Sequence, residues 1–337
     1  THTTGCEATA TFTVYAAPAV TSTVTDVCVG SSITLSATPS GGSWSGNDAT
    51  VATVTSSGVV TGVASGTVSA TYMDAYGGTS SVSITVHALP VYSTSAATAV
   101  CVGGNLSLSA TPVGGTWSLV GTTNKATLSG STLAANSSGT VTVRYTTSTG
   151  CYVDQQITLN DLPAVDAGSA QSVCAGGSVT LTATGASTYT WDNGVTQGQS
   201  FVPTVTKTYT VTGTDGNACV NTDQVIVTVN EVPTITGSST TVCEGSTLTL
   251  NTSVGGGSWT SGNMGVATVN ATTGVVTGVS SGSATITYTT AAGCTDTYAV
   301  TVNGSPVIGG TLSATVGGTS ALSVSIDGST VTGGTWS

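Results

Sequence analysis

Charge is the scarcest feature of this 337-residue chain, which carries 3 Lys+Arg against 14 Asp+Glu, a formal net charge of −11. Charged residues make up 5% of it, where soluble domains ordinarily carry about 25%. The three basic side chains, Lys125, Arg144 and Lys207, are too few to neutralise a phosphate backbone, so nucleic acid is not an expected partner. Long apolar runs are missing as well. Nothing approaches the roughly 18 residues of a membrane span, and pieces such as Gln224–Val229 still contain Thr. No stretch shows helical periodicity. There is no CxxC, and the only histidines are His2 and His87, which argues against zinc. The first residues, Thr1-His2-Thr3-Thr4, read as the middle of something longer, with neither Met nor a signal peptide.

What the chain does contain is a repeat. Proline recurs at Pro18, Pro90, Pro163, Pro233 and Pro306, in nearly even steps. Tryptophan recurs at Trp44, Trp117, Trp191, Trp259 and Trp336. One set of cysteines, Cys28, Cys101, Cys174 and Cys243, precedes the first four tryptophans at an almost constant distance. Tyr72, Tyr145, Tyr209 and Tyr288 follow. A second set of cysteines stands six places after the tyrosine at Cys151 and Cys294, and ten after it at Cys219; Gly78 holds that place in the first unit. The spacing predicts four complete domains, 18–89, 90–162, 163–232 and 233–305. Residues 1–17 are expected to be the C-terminal strands of a preceding or split domain, and 306–337 the N-terminal strands of a further or split one. The two fragments fall short of one whole domain. Two expectations follow: the chain is a window of a longer array, or a split domain is completed between subunits by strand addition.

Each unit reads as all β. Ile33-Thr34-Leu35-Ser36-Ala37, Ser178-Val179-Thr180-Leu181-Thr182, Val82-Ser83-Ile84-Thr85-Val86 and Ala299-Val300-Thr301-Val302 alternate apolar and polar residues, the period of a half-buried strand. Gly41-Gly42, Gly114-Gly115, Asn193-Gly194 and Asp215-Gly216 punctuate them as turns. Six or seven short strands with one early Trp per unit predict a tandem array of immunoglobulin-like β-sandwiches. Trp44, Trp117, Trp191, Trp259 and Trp336 are then core residues of the third strand, and Tyr72, Tyr145, Tyr209 and Tyr288 core residues of the sixth.

Ala52-Thr53-Val54 followed by Gly58-Val59-Val60-Thr61-Gly62-Val63 resembles the bacterial Ig-like group 2 signature, and Ala267-Thr268-Val269 with Gly274-Val275-Val276-Thr277-Gly278-Val279 repeats it. The third unit lacks that segment. Its Val173-Cys174-Ala175-Gly176-Gly177-Ser178-Val179 and Thr208-Tyr209-Thr210-Val211 resemble the Ig-like and PKD-like modules of large secreted Bacteroidota surface proteins. The second unit departs furthest, with Leu128-Ser129-Gly130-Ser131-Thr132-Leu133 in the signature's place. The resemblance covers nearly the whole chain and implies architecture more than function, because such modules serve as stalks, spacers and adhesins alike.

Eight cysteines without metal-type clustering suggest an oxidising, extracellular setting, at the cell surface. One cysteine class falls where the first strand turns into the second. The other falls in the turn between the last two strands. In an immunoglobulin-type sandwich those places lie at opposite ends, about 30 Å apart along a ten-residue strand. A disulfide needs Cα atoms within about 7 Å. The spacing therefore favours interdomain pairs, Cys28–Cys151, Cys101–Cys219 and Cys174–Cys294, with Cys243 and Cys6 joining one copy to the next. Bridges inside single domains remain the alternative.

No catalytic constellation is present, and the chain is not expected to be an enzyme. No cofactor is expected. Calcium is the one ion worth weighing, because Asn160, Asp161, Asp166 and Asp215 lie near junctions and turns, but no DxDxDG run accompanies them. The expected function is structural: a segment of a secreted extracellular fibre, filament or stalk whose partners are other copies or further repeats of the same chain. The alternatives are a cell-surface adhesin that binds glycans or other cells, and the spacer of a large secreted enzyme.

Overall fold

The computed structural model describes residues 8–93, 97–121, 124–310, 322–326 and 329–330. Among them there is no helix, and so none long and apolar enough to cross a membrane. The chain is a tandem array of immunoglobulin-like sandwiches. It divides into two compact units, Thr1–Leu162 and Pro163–Ser337.

In the first repeat of the first unit, one sheet runs in the order Asp26–Cys28, Thr79–His87, Gly66–Met73, Ser43–Gly46. The facing layer pairs Ser32–Thr34, Val59–Gly62 and Ala52–Val54, and also Ala19–Val20 with Ala37–Thr38. These are the two sheets of a seven-stranded sandwich, with the first strand split between them. The split has a consequence. Asp26–Cys28 runs parallel to the last strand, with Asp26 opposite Thr85 and Cys28 opposite His87. Cys28 therefore stands where the repeat ends. The same parallel pairing recurs at Ala99–Cys101 with the end of Tyr152–Asn160, at Gln171–Cys174 with Val220–Asn230, and at Thr241–Cys243 with Thr295–Asn303.

The long last strands explain the core. In Thr79–His87 the inward residues Ile84 and Val86 are 0% and 2% exposed, while the serines before them face out or lie half-buried. Ile157 and Leu159, Val225 and Val227, and Val300 and Val302 fill the same two places in the other repeats. Each such side chain contributes about 1.5–3 kcal/mol on leaving water. Four separate core clusters result, one per repeat.

The tyrosines do more than fill space. Tyr72 lies across from Trp44, with ring centroids 5.2 Å apart. Its hydroxyl accepts from Gly42 N–H at 2.6 Å and donates to Pro39 C=O at 2.7 Å, clamping the loop between the second and third strands. Tyr145 does the same with Gly115 and Pro112, and Tyr288 accepts from Gly257. Tyr72→Phe is expected to destabilise the first repeat by about 1–3 kcal/mol, the cost of leaving those groups unpaired; urea unfolding of the two proteins measures it.

Several sequence expectations need correction. The predicted strand Ile33–Ala37 is broken at Leu35-Ser36, where Leu35 N–H turns to Gly58 C=O and Ser36 N–H to Ser22 Oγ. Only Val179–Thr180 of the stretch 178–182 is paired as strand. Trp117 is half-buried, not part of the sealed core. Tyr209 is buried on the sixth strand but packs on Phe201, while Trp191 faces Val211. In that repeat the hydroxyl clamp belongs to Tyr189, which bonds both backbone groups of Ala186. Trp336 and Cys6 lie outside the described residues.

Candidate functional site: the cystine junctions

The turn joining the last two strands has one design in all four repeats. Its first residue, Asp74, Thr147, Asp215 or Thr290, accepts an N–H from the residue three places on and donates its own N–H to the carbonyl four places on. Gly77, Gly150, Ala218 and Gly293 hold the left-handed conformation this demands, with φ of 82°, 84°, 62° and 85°. The first side chain caps the fifth residue: Asp74 Oδ1 accepts from Gly78 N–H, Asp215 Oδ1 from Cys219 N–H, and Thr290 Oγ1 from Cys294 N–H. The turn thus presents its fifth residue in one fixed orientation. That residue is cysteine in three repeats. The cap was missed in the sequence, although an Asp or Thr four places before each cysteine or Gly78 was its signal.

In the first unit, Cys28 at the end of the first repeat is bonded to Cys151 in the turn of the second, with Cα atoms 5.6 Å apart and a sequence separation of 123. In the second unit, Cys174 is bonded to Cys294, with Cα atoms 5.7 Å apart and a separation of 120. Cys151 and Cys294 are 0% and 1% exposed. Cys101 and Cys219 are also oxidised. Cys243 is a free, exposed thiol at the register position of Cys28 and Cys174, opposite Asn303.

The glycines of the signature make room for these cysteines. A Cβ on Gly62 would lie 2.8 Å from the Cys28 carbonyl oxygen, and one on Gly278 would lie 2.7 Å from that of Cys243. The strand carrying the cysteine crosses the neighbouring sheet at that point, through the bridges Val29↔Gly62 and Glu244↔Gly278. Gly78 has its own reason to be glycine, since a Cβ there would meet Pro18 Cδ at 2.8 Å and Asp74 Oδ2 at 2.9 Å. At that turn an aromatic contact stands in place of a cystine: Tyr15 stacks on Tyr76 with centroids 3.6 Å apart.

Polar groups gather around the Cys28–Cys151 junction. His87 Nε2 lies 2.6 Å from Asp26 Oδ1. Arg144 grips Asp154 with two parallel bonds of 2.7 and 2.8 Å and covers the Tyr152 ring at 3.7 Å. A cleft of about 380 Å³ there is lined by Cys28, Leu89, Gly150 and Tyr152 among others. The Arg144 hydrogen bond holds the Asp154 carboxyl below its ordinary range. Hydrogen bonds from Thr50 do so for Asp48, and Ala167 N–H does so for Asp223. A carboxylate with a depressed folded pKa stabilises above its unfolded pKa, about 3.9, and that stabilisation is lost as pH falls through the folded value. The melting temperature is therefore expected to stay level from neutral pH to about 5 and to fall below about 4. Asp154→Asn should flatten the fall, as thermal melts across pH would read.

Among the described residues no group of three or more His, Cys, Asp or Glu comes together. Two of the carboxylates weighed for calcium serve turns: Asp166 Oδ1 accepts from Gly168 N–H and Asp215 Oδ1 from Asn217 and Cys219 N–H. A groove of about 470 Å³ lies beside Trp117 and is lined by Leu108, Val113, Gly115, Gly130 and Tyr145. The first repeat has a smaller one of about 250 Å³ at the corresponding place beside Trp44.

No protein-family profile matches the chain, and no curated protein matches it in sequence. Solved structures of several multidomain proteins align with it at low identity. These include invasin, a bacterial integrin-binding protein (15% identity, 87% of this chain and 80% of that one, TM-score 0.31). Immunoglobulin domains 1–4 of Sidekick-1 match with 14% identity over 86% and 99% of the chains, at a TM-score of 0.28. The insect immune protein hemolin matches with 13% identity over 86% and 100%, at a TM-score of 0.26.

Proposed function

We propose that this chain is a structural segment of an extracellular fibre or stalk, held in line by cystines that join each sandwich to the next. The observation that carries this reading is the repeated geometry of Cys28–Cys151 and Cys174–Cys294. In each, a cysteine at the end of one repeat is bonded to a capped turn of another. By the same rule Cys101 pairs with Cys219, and Cys243 with Cys6 of another copy. The domains are 18–89, 90–162, 163–232 and 233–305. Sandwiches so small bury little core relative to their surface, and cross-links compensate. Pro-stiffened connections, Leu89-Pro90 and Leu162-Pro163, suit the same purpose. The proposed setting is the outside of a cell, where thiols oxidise. The proposed role is non-enzymatic, with an origin and module type like those of the Bacteroidota surface proteins it resembles.

Immunogold labelling of sectioned source cells with an antibody to this chain tests the reading. Gold along fibres outside the envelope is the expected result. Gold confined to the cytoplasm would sink it. The adhesin reading draws on the Trp117 groove and on exposed Tyr76 and Tyr152. The groove's smaller counterpart beside Trp44 makes it a feature of the fold, so the structural reading stands first.

A further inference from the structure

In every repeat the tryptophan strand is the edge of its four-stranded sheet. Across to the neighbouring strand, Asn47 N–H donates to Ser69 C=O and Val120 N–H to Thr142 C=O. Antiparallel pairing alternates, so Trp44 and Trp117, three places earlier, point their own N–H groups the other way, off the edge. In the first repeat Ser56 C=O accepts that N–H at 3.1 Å, and in the fourth Ala271 C=O accepts from Trp259 at 3.0 Å. In the third, Gln197 covers the place, its Oε1 accepting from Trp191 Nε1 at 2.7 Å and from Ala183 N–H at 3.2 Å. In the second, no described residue accepts from Trp117 N–H.

The difference lies in one hairpin. Between the facing residues Val54 and Val60 the chain has five residues, between Val269 and Val276 six, and between Leu128 and Leu133 four. The longer loops serve two neighbours. Gly58 C=O accepts from Leu35 N–H and Gly274 C=O from Leu250 N–H, while Ser56 and Ala271 serve the tryptophans. The short hairpin gives Ser131 C=O to Leu108 N–H at 2.7 Å and nothing to Trp117. The groove of about 470 Å³ lies at this place. Leu108 and Tyr145 line it as buried side chains, Trp117 is half-buried, and Val113 is 89% exposed. None of its lining residues carries a charge.

We propose that the groove beside Trp117 is a peptide-binding site, which takes an extended, uncharged segment of a partner protein. The first and fourth repeats show what fits there: a stretch of backbone whose carbonyl meets the tryptophan N–H. A bound segment supplies that carbonyl to Trp117 from outside and joins the open edge as an added strand does. Its apolar side chains lie against Leu108, Val113 and the Trp117 indole. A charged side chain would lose water there and find no ionic partner among the lining residues. The site adds a lateral attachment point to the structural role and does not rest on it.

The test uses the full chain labelled with nitrogen-15 at tryptophan alone, which gives one backbone amide signal for each of the five tryptophans. The Trp117 signal is the one lost in Trp117→Phe. In deuterated water the Trp117 amide is expected to exchange at least about tenfold faster than those of Trp44 and Trp259, whose hydrogen bonds protect them. The probe is the acetylated peptide Thr-Ser-Ser-Gly-Val-Val, the sequence of residues 55–60, which fills the equivalent place in the first repeat. At millimolar concentration it is expected to move the Trp117 amide saturably and to slow its exchange, leaving Trp44 and Trp259 unmoved. Val113→Asp, at an exposed position, is expected to keep all five signals in place and to lose the response to peptide. A Trp117 amide as protected as that of Trp44 overturns the proposal. So does a peptide that leaves Trp117 unmoved, or one that acts equally on Val113→Asp. Cellohexaose or maltohexaose moving Trp117 where the peptide does not would make the groove a saccharide site and overturn the peptide assignment. None of these outcomes bears on the immunogold test.

Discussion

Pulled from its two ends in the oxidised state, the chain will extend to a small fraction of its length, and reductant will release the rest. The two cystines seen here remove 123 and 120 residues from the covalent path, leaving 94 of 337. At about 3.5 Å per extended residue, the oxidised chain spans roughly 330 Å and the reduced chain roughly 1,180 Å. The tension path crosses from Cys28 to Cys151, follows Tyr152–Asn160 onward to Cys174, crosses to Cys294 and leaves along Thr295–Asn303. The first repeat's core after Cys28 lies off this path, so it stays folded while the ends are loaded, whereas the second repeat's last strand, with Ile157 and Leu159, lies on it. Single-molecule force spectroscopy with and without reductant reads the difference directly. Unfolding steps of a whole repeat, about 250 Å at roughly 70 residues each, in the oxidised chain would show that the cystines do not carry the load.

Gly274→Ala will destabilise the fourth repeat by about 2–5 kcal/mol, the sum of a backbone cost and a packing cost. Gly274 has φ +71°, and an added Cβ would lie 2.6 Å from the Leu250 carbonyl oxygen and 2.9 Å from Trp259 Cε2. The left-handed backbone costs a residue with a Cβ about 1–2 kcal/mol. Crowding a packed tryptophan adds about 1–3 kcal/mol. Gly58, with φ +88° and a Cβ position 2.7 Å from Trp44 Nε1, makes the same argument in the first repeat. The control is Gly293→Ala. Gly293 is also left-handed, at φ +85°, but has open space around it, and Ala218 already occupies the equivalent place at φ 62°. Only the backbone cost of about 1–2 kcal/mol is expected there. Equal losses in urea unfolding of the two variants would contradict this account of the signature glycine.

These glycines show what was legible in the sequence and what was not. The all-β class was legible because strands such as Val82–Val86 alternate without interruption, and a period of two has one structural meaning. The repeat was legible because Pro recurs in nearly even steps and a Cys precedes each of the first four Trp residues at an almost constant distance. The packing reason for Gly58 and Gly274 was hidden, since each closes on a tryptophan of another strand, Trp44 and Trp259. The exchange of roles between Tyr209 and Tyr189 was hidden too. It depends on Gly213 standing opposite Tyr189, a cross-strand register that spacing alone does not reveal. At the junctions, the two classes of cysteine position were legible from spacing. The capped turn that aims one class, and the parallel first-to-last pairing that places the other, are products of backbone geometry.

The central claim is that cystines join successive sandwiches, and non-reducing peptide mapping by mass spectrometry tests it most directly. The account predicts disulfide-linked peptides holding Cys28 with Cys151, Cys174 with Cys294, and Cys101 with Cys219. Peptides linking Cys101 to Cys151 and Cys174 to Cys219, each pair within one repeat, would contradict it and leave the sandwiches as independent bodies on movable connections.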